Sequence, residues 1–313
     1  MIYDLIIIGG GPAGIAAGIY GARKKIKTLL LTDKFGGQSI MASEIQNFIG
    51  FKAISGVKLS QRLEEHLRSQ ENVEIKTGIK VLNIEKKACL PIGKEKNFIV
   101  KTENGESFES KTVLLATGKR YRHLKAINED KFEGKGIFYC SICDAPLMKN
   151  KNVAVVGGGN SGLAAVNDLL PYATKIFLLE YSKELKADQI LIDKAKTAGV
   201  KIITSAEIKE IVGDVFVNGI KYQDRILNEI KELSVSGVFV EVGYEPNNEI
   251  IKNLVSLNNK NEIIIDAQTQ KTSLEGIWAA GDATDVLYNQ INVAIGDAIK
   301  AVLNIYDYLK SVN

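Results

Sequence analysis

One glycine fingerprint occurs twice in this chain, about 150 residues apart, and each copy lies between a short apolar run and a helical pattern. The first reads Asp4-Leu5-Ile6-Ile7-Ile8-Gly9-Gly10-Gly11-Pro12-Ala13-Gly14, the second Val153-Ala154-Val155-Val156-Gly157-Gly158-Gly159-Asn160-Ser161-Gly162. In that setting each glycine has a task. The first permits a tight turn, the second lets backbone approach a pyrophosphate, and the third lets the helix pack closely on the strand. The helix N-terminus adds free N–H groups and partial positive charge, which favour a diphosphate. Such a chain is committed to an α/β architecture with parallel strands and two dinucleotide sites. Gly9, Gly11, Pro12, Ala13 and Gly14 belong to the first, and Gly157, Gly159, Asn160, Ser161 and Gly162 to the second.

The acidic positions follow from the same geometry. Asp33 lies about twenty residues beyond Gly14, near the end of the second strand, where a carboxylate accepts hydrogen bonds from ribose hydroxyls; the alternative is an ordinary turn aspartate. Glu180 occupies the corresponding place eighteen residues after Gly162. Elsewhere strands and helices alternate, as a parallel α/β protein requires. Gly56 to Ser69 reads as an amphipathic helix. Lys80 to Glu85, Asn97 to Thr102 and Thr112 to Ala116 read as a small antiparallel meander. Ile176 to Glu180 reads as a strand, the region around Ala187 to Ala198 as a helix, and Glu262 to Asp266 as a strand. From Ile291 to Leu309 apolar residues recur at helical spacing, a closing helix with one core face. No Pro/Ser-rich linker divides the chain, so a domain inserted into a split outer domain fits better than domains in series.

Composition removes several classes of function. Forty basic residues face 37 acidic ones, a net charge of +3 that gives no reason to expect nucleic acid or a membrane as partner. The N-terminus has no signal-peptide pattern and no apolar run reaches eighteen residues, so a cytoplasmic location is expected. Of three cysteines, Cys140 and Cys143 form a Cys-x-x-Cys pair just before the second fingerprint. Zinc needs about four ligands; with only Cys89, His66 and His123 left, no second ligand pair exists at metal-binding spacing. No metal is expected. A redox dithiol remains, with Cys89 an inert lone thiol.

Beyond these features the chain resembles the low-molecular-weight thioredoxin reductases and, more closely, the flavin-containing core of alkyl hydroperoxide reductase flavoproteins. The resemblance rests on Phe35-Gly36-Gly37-Gln38, Glu44-Ile45-Gln46-Asn47-Phe48, Ala116-Thr117-Gly118, Cys140 to Asp144, Gly243-Tyr244-Glu245-Pro246-Asn247 and Gly281-Asp282. It implies two Rossmann-like domains, the second inserted into the first: an FAD domain of residues 1–118 and 244–313 and an NAD(P)H domain of residues 119–243. It also implies a homodimer. By the same resemblance Gly36, Gly37, Gln38, Asn47, Ala116, Thr117, Gly118, Gly281 and Asp282 contact FAD, and Asn289, Gln290 and Ile291 border its ring. Gly243 joins the NAD site. Cys143 faces the flavin, Cys140 exchanges with a partner disulfide, and Asp144 handles the proton. Asp144 also has a bland reading as a cap residue, and Ala145 replaces the glycine that usually follows it.

Relatives that use NADPH carry a His-Arg-Arg cluster where this chain has Glu180-Tyr181-Ser182-Lys183-Glu184-Leu185-Lys186. A carboxylate there repels a 2′-phosphate, so NADH is the expected donor, with NADPH possible through Lys183 or Lys186. The chain starts directly with the first fingerprint strand, without the N-terminal thioredoxin-like module of the hydroperoxide reductases, which gives the expectation that electrons pass to a separate thioredoxin- or glutaredoxin-like protein. Three rivals stay open: a ferredoxin-driven flavin thioredoxin reductase, a peroxide-forming NADH oxidase, and a redox sensor without turnover.

Overall fold

A computed structural model describes residues 1–42, 44–87, 97–251 and 253–312. The expectation for Cys89 falls outside the described residues. The chain divides into two compact units, Met1–Arg120 with Glu245–Asn313, and Tyr121–Tyr244.

In the first unit the strands Val73–Thr77, Thr28–Phe35, Ile2–Gly10 and Ser107–Leu115 lie side by side in that order, all parallel. Ser107–Leu115 divides its other edge. Its first half pairs antiparallel with Phe98–Thr102, and its last residues pair parallel with Ile277–Ala279. The expected meander is therefore present, but its third strand is also a central strand of the parallel sheet. Side chains of Ile2–Gly10 alternate between two cores, as the period of two demands. Leu5 and Ile7 pack with the helices Pro12–Arg23 and Ile291–Val312, while Ile6 and Ile8 pack with Leu29, Phe98, Val100 and Ile263. Burial on both faces explains the unbroken apolar run. Glu262 to Asp266 forms only isolated bridges through Ile263. Asp266 instead accepts hydrogen bonds from Gln268 and Thr269 at 3.2 and 2.8 Å, which turns the chain.

The second unit holds the strands Lys201–Ile203, Lys175–Leu179, Asn152–Val156, Gly237–Val240 and Ile137–Phe138 in that order, again parallel. One face packs on the helix Asn160–Leu169 through Val153, Val155 and Leu178. The other packs on a three-stranded antiparallel sheet of Ala206–Gly213, Val217–Asp224 and Glu229–Leu233, through Ile208, Ile211 and Ile220. No helix among the described residues is long and apolar enough to cross a membrane.

Candidate functional site

The two fingerprints close in the same way. Gly9 and Gly157 have φ of +119° and +124°, and a Cβ on either would lie 2.2 Å from a carbonyl oxygen, that of Ala116 or Glu241. A Cβ on Gly14 or Gly162 would lie 1.9 or 1.8 Å from the oxygen of Gly9 or Gly157. These four glycines are demanded by the folded chain itself. The middle glycines are different: a Cβ on Gly159 meets nothing within 4 Å, and one on Gly11 only Gly37 Cα at 3.8 Å. Their lack of a side chain leaves an open cradle. The helices that start there, Pro12–Arg23 and Asn160–Leu169, have no side-chain cap and no acidic residue in the first turn. Uncapped N–H groups at a cradle suit an anionic diphosphate, so both sites fit a dinucleotide.

This contrast makes a prediction about the glycines. Gly162→Ala is expected to cost about 1–3 kcal/mol of stability, since backbone must move to admit the methyl group. Gly159→Ala should change stability by under about 1 kcal/mol and act on nucleotide affinity instead. Denaturant unfolding and nucleotide titration of the two variants separate these outcomes, and equal stability losses would contradict the assignment.

In the first unit most of the residues expected to contact FAD meet at the carboxyl ends of the parallel strands. Gly36 N–H donates to the Gly10 carbonyl at 2.9 Å, bringing the Gly36-Gly37 turn onto the fingerprint. Ala116-Thr117-Gly118 is fixed by Asn247, whose backbone N–H donates to Gly118 O at 3.0 Å and whose amide donates to Thr117 O at 2.9 Å. Gln38 donates to the Lys119 carbonyl at 2.7 Å, and the Lys119 ammonium donates to Asn289 at 3.0 Å and pairs with Glu262 at 2.9 Å. Asn47 donates to the Gln290 side chain at 2.9 Å. Gly281 sits at φ +74° against Ala13 and Ala294, where a Cβ would come within 3.3 and 3.2 Å. Burial raises the Asp282 carboxyl above its usual range, an effect the Lys119 charge partly offsets. Ile291 opens the last helix. Lys119 was not singled out by sequence; its signal was a cation directly after Ala116-Thr117-Gly118.

Asp33 stands apart. Strand register pairs Ile8 with Leu31 in the first unit and Val156 with Leu179 in the second, so the residue matching Glu180 is Thr32. A Cβ on Gly10 would meet Thr32 Oγ1 at 2.4 Å, as one on Gly158 would meet Glu180 Oε2 at 2.9 Å. Asp33 is one residue further on and exposed. Equal spacing was the available signal: Thr32 and Glu180 each follow the last fingerprint glycine by 18 residues (32 − 14 and 180 − 162).

In the second unit Glu180 closes over its fingerprint. Its two oxygens accept from the Gly158 and Ser182 backbone N–H groups at 2.6 and 2.7 Å. Lys186 N–H donates to the Gly158 carbonyl at 2.9 Å, and Asp188 N–H to the Asn160 side chain at 2.8 Å, so the loop after Glu180 folds back on the glycines. Ser161 lies exposed in the first helical turn and Gly243 adopts φ +89°. Cys140 and Cys143 form a disulfide with Cα atoms 5.4 Å apart. They bracket the first turn of the short helix Ser141–Asp144, and Cys143 N–H donates to Cys140 Sγ at 3.3 Å. Burial raises the Asp144 carboxyl above its usual range. No cluster of three or more His, Cys, Asp or Glu suited to a metal occurs among the described residues.

Residues 3–298 match the family model for pyridine nucleotide-disulphide oxidoreductases. The chain is 42% identical over 308 residues to a protein of Bacillus subtilis named NADH dehydrogenase, covering 98% of this chain and 58% of that one. It is equally 42% identical, over 311 residues, to a component of the alkyl hydroperoxide reductase of Pseudomonas aeruginosa, with the same coverage of each chain, 98% and 58%. The chain thus spans less than two thirds of the length of these relatives. Among solved structures, thioredoxin reductase of Lactococcus lactis matches at a TM-score of 0.80 and 30% identity, covering 99% of both chains. That of T. acidophilum matches at 0.77 and 33%, covering 100% of this chain and 99% of the other. With its doubled fingerprint, paired cysteines and near-complete match, the chain belongs to the pyridine nucleotide-disulphide oxidoreductase family.

Proposed function

We propose that this chain is an FAD-dependent disulfide reductase, passing electrons from NADH through FAD and the Cys140/Cys143 pair to a thioredoxin- or glutaredoxin-like protein. The observation that carries this reading is a bonded Cys-x-x-Cys followed directly by the half-buried Asp144, in the unit that contains the second fingerprint. Bound flavin supplies the two-electron chemistry that links a nicotinamide to a disulfide. The residues around Gly11 hold its diphosphate, and those around Gly159 hold that of the nucleotide. Cys140 lies at the start of a helical turn, where the Cys143 N–H favours a thiolate. Asp144, kept protonated further towards neutral pH than a free aspartate, suits delivery of a proton to the sulfur that leaves. Ile142 and Leu147 are exposed beside the pair and offer an apolar contact to a protein acceptor.

The protein is expected to purify yellow with one FAD per chain, measured by absorbance and by mass analysis of the released cofactor. NADH consumption should then depend on an added disulfide protein. A folded preparation that takes up no FAD removes the premise. The relative named NADH dehydrogenase favours a second reading, peroxide-forming NADH oxidation, in which consumption proceeds without any disulfide acceptor.

A further inference from the structure

A cation–π contact ties the loop after Glu180 to the antiparallel sheet of the same unit. The Arg225 guanidinium lies 3.9 Å from the centre of the Tyr181 ring, and its Nη1 donates to the Tyr181 carbonyl at 3.0 Å. Arg225 directly follows the strand Val217–Asp224, outside the parallel sheet that carries the fingerprint. Backbone bonds complete the brace. Arg225 N–H donates to Ser205 O at 2.8 Å, Ser205 N–H to Ser182 O at 2.8 Å, and Ala206 N–H to Glu180 O at 2.9 Å. Three separate segments thus hold one tyrosine, and yet Tyr181 is 54% exposed. One face of its ring lies under the guanidinium, and the other is open. The place of Tyr181 in the chain says what can lie there. The Glu180 oxygens accept from Gly158 N–H on one side and Ser182 N–H on the other, so the carboxylate wraps around the Tyr181 backbone. A dinucleotide with its diphosphate on the glycines and its adenosine ribose on that acid carries its base beyond the acid, beside the next residue.

We propose that Arg225 is a positioning residue for adenine recognition: it holds the Tyr181 ring so that the free face stacks on the base of the nucleotide. The proposal rests on the reading of the second fingerprint as a nucleotide site. An aromatic face binds any base by stacking, without hydrogen-bond readout. Such a face contributes most when the ring need not be ordered at the moment of binding. A planar guanidinium on its far side, bonded also to the tyrosine's own carbonyl, supplies that order in advance.

The test titrates ADP-ribose, which carries adenine and diphosphate but no nicotinamide, into the FAD-saturated full-length protein by calorimetry. Tyr181→Leu should weaken binding about tenfold or more. Tyr181→Phe should stay within about twofold of wild type, because the ring and not the hydroxyl is used. Arg225→Ala should weaken binding about threefold, and Arg225→Lys, which keeps the cation, should recover part of that loss. In a Tyr181→Leu background Arg225→Ala should change affinity no further, since Arg225 acts only through the ring. A brace that serves the fold alone gives a different pattern: Arg225→Ala lowers Tm and leaves ADP-ribose affinity unchanged, or the two substitutions act additively. Either result overturns the proposal, as does unchanged affinity in Tyr181→Leu. If Tyr181→Leu fails to fold, the affinities of Arg225→Ala and Arg225→Lys decide. A wild type that binds no ADP-ribose overturns the nucleotide site and the proposal with it, whereas a wild type that binds it with variants that bind it equally overturns the proposal alone. No cysteine chemistry is used, so the reductase reading fails separately, if cysteine variants retain disulfide turnover.

Discussion

Cys140→Ser and Cys143→Ser are each expected to lower kcat/KM for a protein disulfide by at least about 10³-fold, roughly 4 kcal/mol of transition-state stabilisation. Bleaching of the bound flavin by NADH should stay within about threefold of wild type, because no step of nucleotide binding uses either sulfur. The size of the loss follows from the chemistry. Thiol–disulfide exchange proceeds through a mixed disulfide that a second thiolate must resolve, and one sulfur cannot do both. The division of labour is testable with the same proteins. If Cys140 exchanges with the partner, Cys143→Ser should accumulate a stable mixed disulfide with an acceptor, seen on a non-reducing gel, and Cys140→Ser should not. Full activity of both variants towards every disulfide protein tried would remove the reductase reading and leave NADH oxidation as the better one.

What the sequence made legible was whatever short-range geometry dictates. Each fingerprint encodes a strand, a positive-φ turn and a helix start within about ten residues, and Gly9, Gly14, Gly157 and Gly162 stand where backbone contact permits nothing larger. The cysteine pair was legible for the same reason, since a separation of three residues places both sulfurs on one helical turn. Residues defined by long-range packing were not. Lys119 matters through Gln38, Glu262 and Asn289, up to 170 positions away. The half-buried Glu241 carboxyl is raised first by desolvation and second by the Asp168 charge, neither of which a local motif displays. Thr32 was missed for a subtler cause. Asp33 is the nearest acid at about the right spacing, but strand register is set by pairing with Ile2–Gly10, and one residue changes which side chain meets the glycine turn. The first fingerprint therefore has a hydroxyl over Gly10 where the second has a carboxylate over Gly158.

That carboxylate predicts a kcat/KM preference for NADH over NADPH of at least about tenfold, or roughly 1.4 kcal/mol. Glu180 cannot easily turn away from an incoming nucleotide, because both of its oxygens are held by backbone N–H groups, at Gly158 and Ser182. A 2′-phosphate at about 4 Å would meet a repulsion on the order of 4 kcal/mol per unit charge at an effective dielectric of about 20. Solvent screening could halve this and still leave more than the tenfold preference. Ribose hydroxyls, in contrast, can donate to the same oxygens. Glu180→Gln keeps one acceptor and removes the charge, so it should shrink the preference with little loss of NADH efficiency; Glu180→Arg should reverse it. Glu180→Ala is the poorer probe, since it strips the Gly158 N–H of its acceptor and adds a folding cost of about 1–3 kcal/mol. The opposing force is also identifiable: Lys186 is drawn to the fingerprint through its N–H bond to Gly158, and Lys183 lies in the same loop. Equal efficiencies with the two nucleotides in the unmodified protein would mean that these lysines bind the phosphate more strongly than Glu180 repels it. In that case Lys183→Ala or Lys186→Ala, rather than a change at Glu180, would restore discrimination.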